Sequence, residues 1–393
     1  MQKTLLLVFL ALMLPLPRVP AAAPTENSLP SALALTVGFN GPDVQFPYMD
    51  RFYAAQSTYY RSRGSMYPAD SRYCHAYLSW DIAEQPVGAG PVNKEGSRSW
   101  LEDWLAHAQG HCDRALLTFK YIDNVTTHSS GAYPSPAEFE NAVAAFLKID
   151  WSYTGWKGAM DFTAWNEPQN GTRSGDGLTD QIPAKNAADY YLALRKHCLP
   201  SAGCIVAAGD FGSNGQQWET YVQNCPADSA PLCSTASYMD QYKHWITTDA
   251  SNFGFSPTFR PEVFAYHGWD DINNYIHAGR HCTDPQRCTI RALLTALSDD
   301  GWGKTDVWDT EVAAGQNPQS NPDPELQACA ASYLLNLTAN TNKRVTRIYW
   351  TQPYTKSGNY FSMFESDGKP KPAFAVFAEH NTSYIPASGP HCP

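Results

Sequence analysis

A single (β/α)8 barrel, the TIM barrel of the α/β class with loops stapled by disulfides, is the fold that this sequence predicts, on three observations. Short apolar runs with β-branched and aromatic character alternate with amphipathic segments, the pattern of repeated strand–helix units and a parallel sheet. The strand-like runs recur about every 40 residues and number eight, the count a closed barrel requires. No low-complexity linker interrupts them, and no Gly-x-Gly-x-x-Gly follows the first run, as a nucleotide-binding open sheet would need.

Taken in order, residues 1–23 read as an export signal: Lys3 precedes an apolar stretch from Leu5 to Leu16, and Ala21, Ala22 and Ala23 supply a cleavage site of small residues. Residues 24–393 then form one domain. The first strand is expected at 34–40 around Val37 and Phe39, followed by a helix at 49–60, and the second at 75–81, followed by a helix at 97–108. The third strand, 115–120, leads to a helix at 136–149, where Pro136 suits a first turn and Ser135 a cap. Strands at 161–166 and 205–210 flank a helix at 187–197, and two helices, 216–224 and 238–247, precede a sixth strand at 262–267. The longer gap before that strand carries Cys225 and Cys233 and reads as an inserted loop. A helix at 289–297, a strand at 305–310, a helix at 324–339 opened by Asp323 and Pro324, a strand at 347–351 and a helix at 372–380 complete the series.

Ten cysteines in an exported chain predict disulfides rather than metal ligands, since no paired Cys-x-x-Cys spacing occurs. Cys198 with Cys204, Cys225 with Cys233, and Cys282 with Cys288 are close in sequence; Cys74 and Cys112 precede neighbouring strands, which leaves Cys329 for Cys392. Sequons stand at Asn124, Asn170, Asn336 and Asn381. With 38 acidic against 28 basic residues, a net charge of -10 and no Lys/Arg cluster, neither nucleic acid nor an anionic membrane is an expected partner. The chain is expected to be a secreted monomer with a carbohydrate substrate, a reading that its 13% aromatic residues fit.

The chemistry concentrates at two strand ends. Phe162 to Pro168 runs a strand straight into Trp165-Asn166-Glu167-Pro168, and Val307 to Glu311 puts a second carboxylate at the end of the seventh strand. Strands four and seven face each other across a barrel mouth. Glycosidic cleavage needs one carboxyl to protonate the leaving oxygen and another to meet the oxocarbenium-like carbon, and retaining enzymes hold the two about 5 Å apart. No metal or organic cofactor is needed for that chemistry.

On these motifs the sequence resembles clan A, the retaining barrel glycosidases, over its whole mature length. Ala265-Tyr266-His267-Gly268-Trp269 on strand six resembles families 39 and 5, and Asp367 to Phe374 resembles their entry to the final helix. The resemblance implies that Glu167 is the acid/base, Glu311 the nucleophile and Asn166 the donor to the sugar 2-hydroxyl. It implies that Trp350 is the stacking platform and His267 a neighbour that tunes the carboxylates. Two departures stand out. Trp269 occupies the place where those families use a tyrosine to hold the nucleophile, so that Tyr266 would serve only from a bulged strand, and strand two carries Trp80 and Asp81 without the usual arginine. Trp80, Asp81, Lys120, Asp210 and Phe39 are further candidates for lining the site by their position at strand ends. A barrel that binds carbohydrate without cleaving it, and a transglycosidase, are the alternatives.

Overall fold

Each strand lies parallel to the next, and the last pairs with the first, so the sheet closes: β1 (Thr36–Asn40), β2 (Tyr73–Ser79), β3 (Arg114–Lys120), β4 (Ala159–Thr163), β5 (Val206–Phe211), β6 (Val263–His267), β7 (Asp306–Val312) and β8 (Val345–Thr351). The computed structural model describes residues 35–392 apart from 43–44, 64–71, 88–93, 128–132, 171–181, 200–202, 213–234, 279–288, 300, 315–322, 341–342, 355–360 and 387–391. All eight expected strands form, none displaced by more than three residues at either end. The outer helices are α1 (Phe46–Ser62), α2 (Arg98–Ala108), α3 (Pro136–Phe146), α4 (Ala184–His197), α5 (Thr235–Asp249), α6 (Trp269–Ala278), α7 (Thr289–Asp299), α8 (Pro324–Leu335) and α9 (Pro372–Ala378). The sequence reading omitted α6, and the expected export signal and the helix at 216–224 lie outside the described residues.

Strand alternation divides the core in two. Tyr73, Leu116, Ala207, Val263, Ala265, Trp308 and Tyr349 fill the barrel's interior, whereas Val37, Phe39, Leu78, Phe119, Phe162 and Phe264 belong to the larger layer under the helices. Closure brings β1 and β8 so near that a side-chain carbon at Gly38 would lie 2.7 Å from the Tyr349 ring, so this position needs glycine. At the amino-terminal end of the barrel the buried Asp161 takes hydrogen bonds from Arg114 and Arg347, and the Arg347 guanidinium stacks at 4.2 Å on Tyr73 and 4.0 Å on Trp308.

Helix starts follow local chemistry. Ser135 and Glu138 form a reciprocal capping box on α3, Ser97 accepts from the Trp100 amide on α2, and Asp323 accepts from the Glu325 amide on α8. Three expected disulfides are present, Cys74–Cys112, Cys198–Cys204 and Cys329–Cys392, with Cα separations of 5.9, 5.9 and 5.4 Å. The pairs at 225/233 and 282/288 lie outside the described residues. Among the described residues no helix is long and apolar enough to cross a membrane.

Candidate active site

The carboxyl ends of the strands build one cluster around His267, the last residue of β6. Its ring is fully buried, and Nδ1 lies 2.8 Å from Glu167 Oε1 and 3.0 Å from Glu311 Oε2. An oxygen of each glutamate and the ring nitrogen all fall within 4.8 Å of one another. Such a cluster is tight enough for a small cation, and the nitrogen also sits at hydrogen-bond distance from both carboxylates, so a protonated Nδ1 would reach either of them.

Backbone irregularities aim these groups. Just past β4 the chain turns, and Glu167 adopts a left-handed φ of 46° while its amide donates to the Asp210 carbonyl at 2.9 Å. Strand β7 slips register between Asp309 and Val312, so Thr310 and Glu311 both contact inward-facing groups. A side-chain carbon at Gly268 would meet Asp309 Oδ2 at 2.3 Å, and its amide donates to Asp309 Oδ1 at 2.9 Å, which ties the end of β6 to β7.

Glu311 is surrounded by donors. The Tyr77 hydroxyl donates to Oε1 at 2.8 Å, and the Trp269 indole approaches Oε2 at 3.4 Å. Asn40 Nδ2 donates to the Tyr77 oxygen at 2.9 Å, which directs the phenolic proton towards Glu311. Burial, then the nearby charges of Glu311 and Asp210, push the Tyr77 phenol well above its usual 10, so it remains a donor. For His267, burial favours the neutral ring, but Glu311, Asp210 and Glu167 together override it and hold the imidazole well above 6.5.

Of the residues singled out in the sequence, Glu167, Glu311, His267 and Trp269 meet at this cluster, and Asn166 lies beside it, half-buried. Five expectations are corrected. Trp350 is no platform: strand alternation turns it outward, where it is fully buried against Phe377 and donates to the Phe361 carbonyl. Tyr266, adjacent to an inward residue, also faces the helices and is fully buried. Trp80 lies in the outer core, and the fully buried Asp81 accepts from Ser79, Gln85 and Thr127, shaping a loop. Phe39 likewise packs outward on Phe52, whereas Lys120 lies 4.7 Å over the Tyr77 ring. Tyr77 and Asn40 were missed. Tyr77 occupies the inward position two residues before Ser79, and only strand parity marks it.

No family model matches the chain, and no curated protein matches it. Solved structures do. A glucosidase from Croceicoccus marinus is 11% identical, with a TM-score of 0.54 over 89% of this chain and 68% of that one. A GH5_18 from Bifidobacterium longum subsp. infantis is 14% identical, with a TM-score of 0.51 over 89% of this chain and 79% of that one. At these identities the likeness is one of fold, and the fold shared is the eight-stranded parallel barrel.

Proposed function

We propose that this chain is a secreted retaining glycoside hydrolase acting on a poly- or oligosaccharide, with Glu167 as acid/base and Glu311 as nucleophile. The observation that carries the reading is the approach of these two carboxylates, one oxygen of each within 4.8 Å, at the mouth of a closed barrel. That spacing suits direct attack on the sugar, since inverting enzymes need about 6.5–9.5 Å to admit a water. Glucosidase among the names of similar barrels supports the same reaction class. Secretion rests on the export signal at 1–23 and on the cysteines already bridged.

In the first step a Glu311 oxygen attacks the anomeric carbon as the glycosidic bond breaks, and the Glu167 proton passes to the departing oxygen. The ester that results leaves Glu311 neutral and Glu167 ionised. Glu167 then takes a proton from a water that attacks the same carbon and frees Glu311, so the configuration is retained. In this reading Asn166, next to the acid/base in sequence, donates to the sugar 2-hydroxyl, and Tyr77 and Trp269, both contacting Glu311, border the reacting carbon.

Glu311→Ala is expected to lower hydrolysis of aryl glycosides by roughly 10⁴-fold or more. Added azide or formate should restore turnover and yield a product of inverted configuration. Near-full activity in Glu311→Ala would overturn the assignment.

A further inference from the structure

Asp210 is a carboxylate that the reaction above does not use, yet β5 is distorted to present it. Gly209 and Asp210 both adopt left-handed φ, 88° and 72°, and the register with β6 slips between Gly209 and Phe211. Regular alternation from the inward Ala207 would send Asp210 out to the helices. The bulge instead sends Phe211 outward against Tyr238, Tyr242 and Phe264 and turns Asp210 inward, fully buried. There Thr163 donates to Oδ2 at 3.0 Å and Thr310 to Oδ1 at 2.5 Å. His267 Nε2 lies 3.4 Å from the same Oδ1, a long ion-pair contact.

The ring of His267 therefore meets carboxylate oxygens on both edges: Glu167 and Glu311 at Nδ1 and Asp210 at Nε2. A neutral imidazole would turn one lone pair on an acceptor, and the ring itself is fully buried. Resting on the proposed reaction, we propose that Asp210 is a positioning residue that keeps His267 doubly protonated, its Nδ1 proton aimed between the two catalytic carboxylates. The negative charge resides on Glu311 before attack and on Glu167 in the glycosyl-enzyme. One fixed N–H midway between them serves each in turn, and no proton leaves the ring.

The other groups facing this site are consistent with that charge state. From β2, burial pushes His75 down to about 4, so it adds no competing cation, and Tyr77 remains a neutral phenol. Lys120 on β3 has its ammonium over the Tyr77 ring. From β7, burial pushes Asp309 well above its usual range. On α5, the Tyr242 hydroxyl accepts from the Gly209 amide at 2.9 Å, bracing the bulge. Burial favours neutral Asp210, but contact with His267 overrides it and holds the carboxyl below its ordinary range.

Ring ¹⁵N resonances in histidine-labelled full-length protein test this without substrate, His267→Gln supplying the assignment. Between about pH 5 and about pH 8 the native ring should carry protons on both nitrogens, whereas in Asp210→Asn it should lose one within that interval. On the same variant kcat/KM should fall on the order of tenfold to a hundredfold, with a new ionisation on the alkaline side of its pH profile. A purely structural role would lower the plateau and leave the ring's titration alone. A native ring with one unprotonated nitrogen at neutral pH overturns the proposal, as does an Asp210→Asn ring that titrates like the native one. Should Asp210→Asn not fold, the native spectrum still decides. A doubly protonated native ring in a protein that hydrolyses no glycoside would sink the hydrolase reading and leave this arrangement standing.

Discussion

At the scale of single residues, the site turns on which atoms donate to Glu311. Tyr77 is the short contact, and its own oxygen is occupied by Asn40, so its proton has one direction to go. Tyr77→Phe keeps the ring that packs beneath Lys120 and removes only the donor. A hydrogen bond to a charged group contributes about 1.5–3 kcal/mol, so kcat/KM should fall about 10- to 100-fold with the melting temperature nearly unchanged. Steady-state kinetics on an aryl glycoside would check it; an unaltered kcat/KM would mean that the contact does not support Glu311. Glu167 and Glu311 were legible in the sequence as a pair, an Asn-Glu-Pro after one strand and a glutamate ending another three units later, whereas His267 was singled out by resemblance. Tyr77 was not, because a tyrosine in an apolar run looks the same whether it faces helices or mouth.

At the scale of elements, local chemistry set where helices begin and the tertiary sheet set where strands bend. The α3 start shows the first. Ser135 and Glu138 satisfy each other's exposed amides, at 2.7 Å for the Ser135 amide on Glu138 Oε2. Ser135→Ala should cost about 1 kcal/mol in denaturant unfolding and leave kinetics untouched, because α3 lies outside the barrel. The bulges in β5 and β7 show the second. Each adds a residue against its neighbour's register, and each brings an acid into the mouth, Asp210 and Glu311. Alternation read along a sequence assumes no such slip. It therefore leaves Asp210 indistinguishable from Asp81, which buttresses a loop.

At the scale of the whole molecule, the mouth and the opposite end of the barrel carry different polar clusters. The mouth holds Glu167 and Glu311, partly open to solvent, and the opposite end holds Asp161 between Arg114 and Arg347, all largely buried. Asp161→Asn would strand two guanidinium groups without their counter-charge. It should cost about 3–5 kcal/mol of unfolding free energy, a large part of the roughly 5–15 kcal/mol that a folded protein has. Urea unfolding followed by circular dichroism would measure it, and a loss below about 1 kcal/mol would show that the cluster does not hold the barrel closed.

The chain's order of residues was enough to count eight strands and to put two glutamates at strand ends, since each of these follows from periodicity and turn chemistry along one stretch, whereas the pairs Cys74–Cys112 and Cys329–Cys392 join distant stretches and were decided by the fold. Which face a side chain takes was settled by closure of the sheet. Trp350 and Tyr266 went to the helices and Tyr77 and Asp210 to the mouth, because side-chain direction depends on register with two neighbouring strands, and a single bulge reverses it.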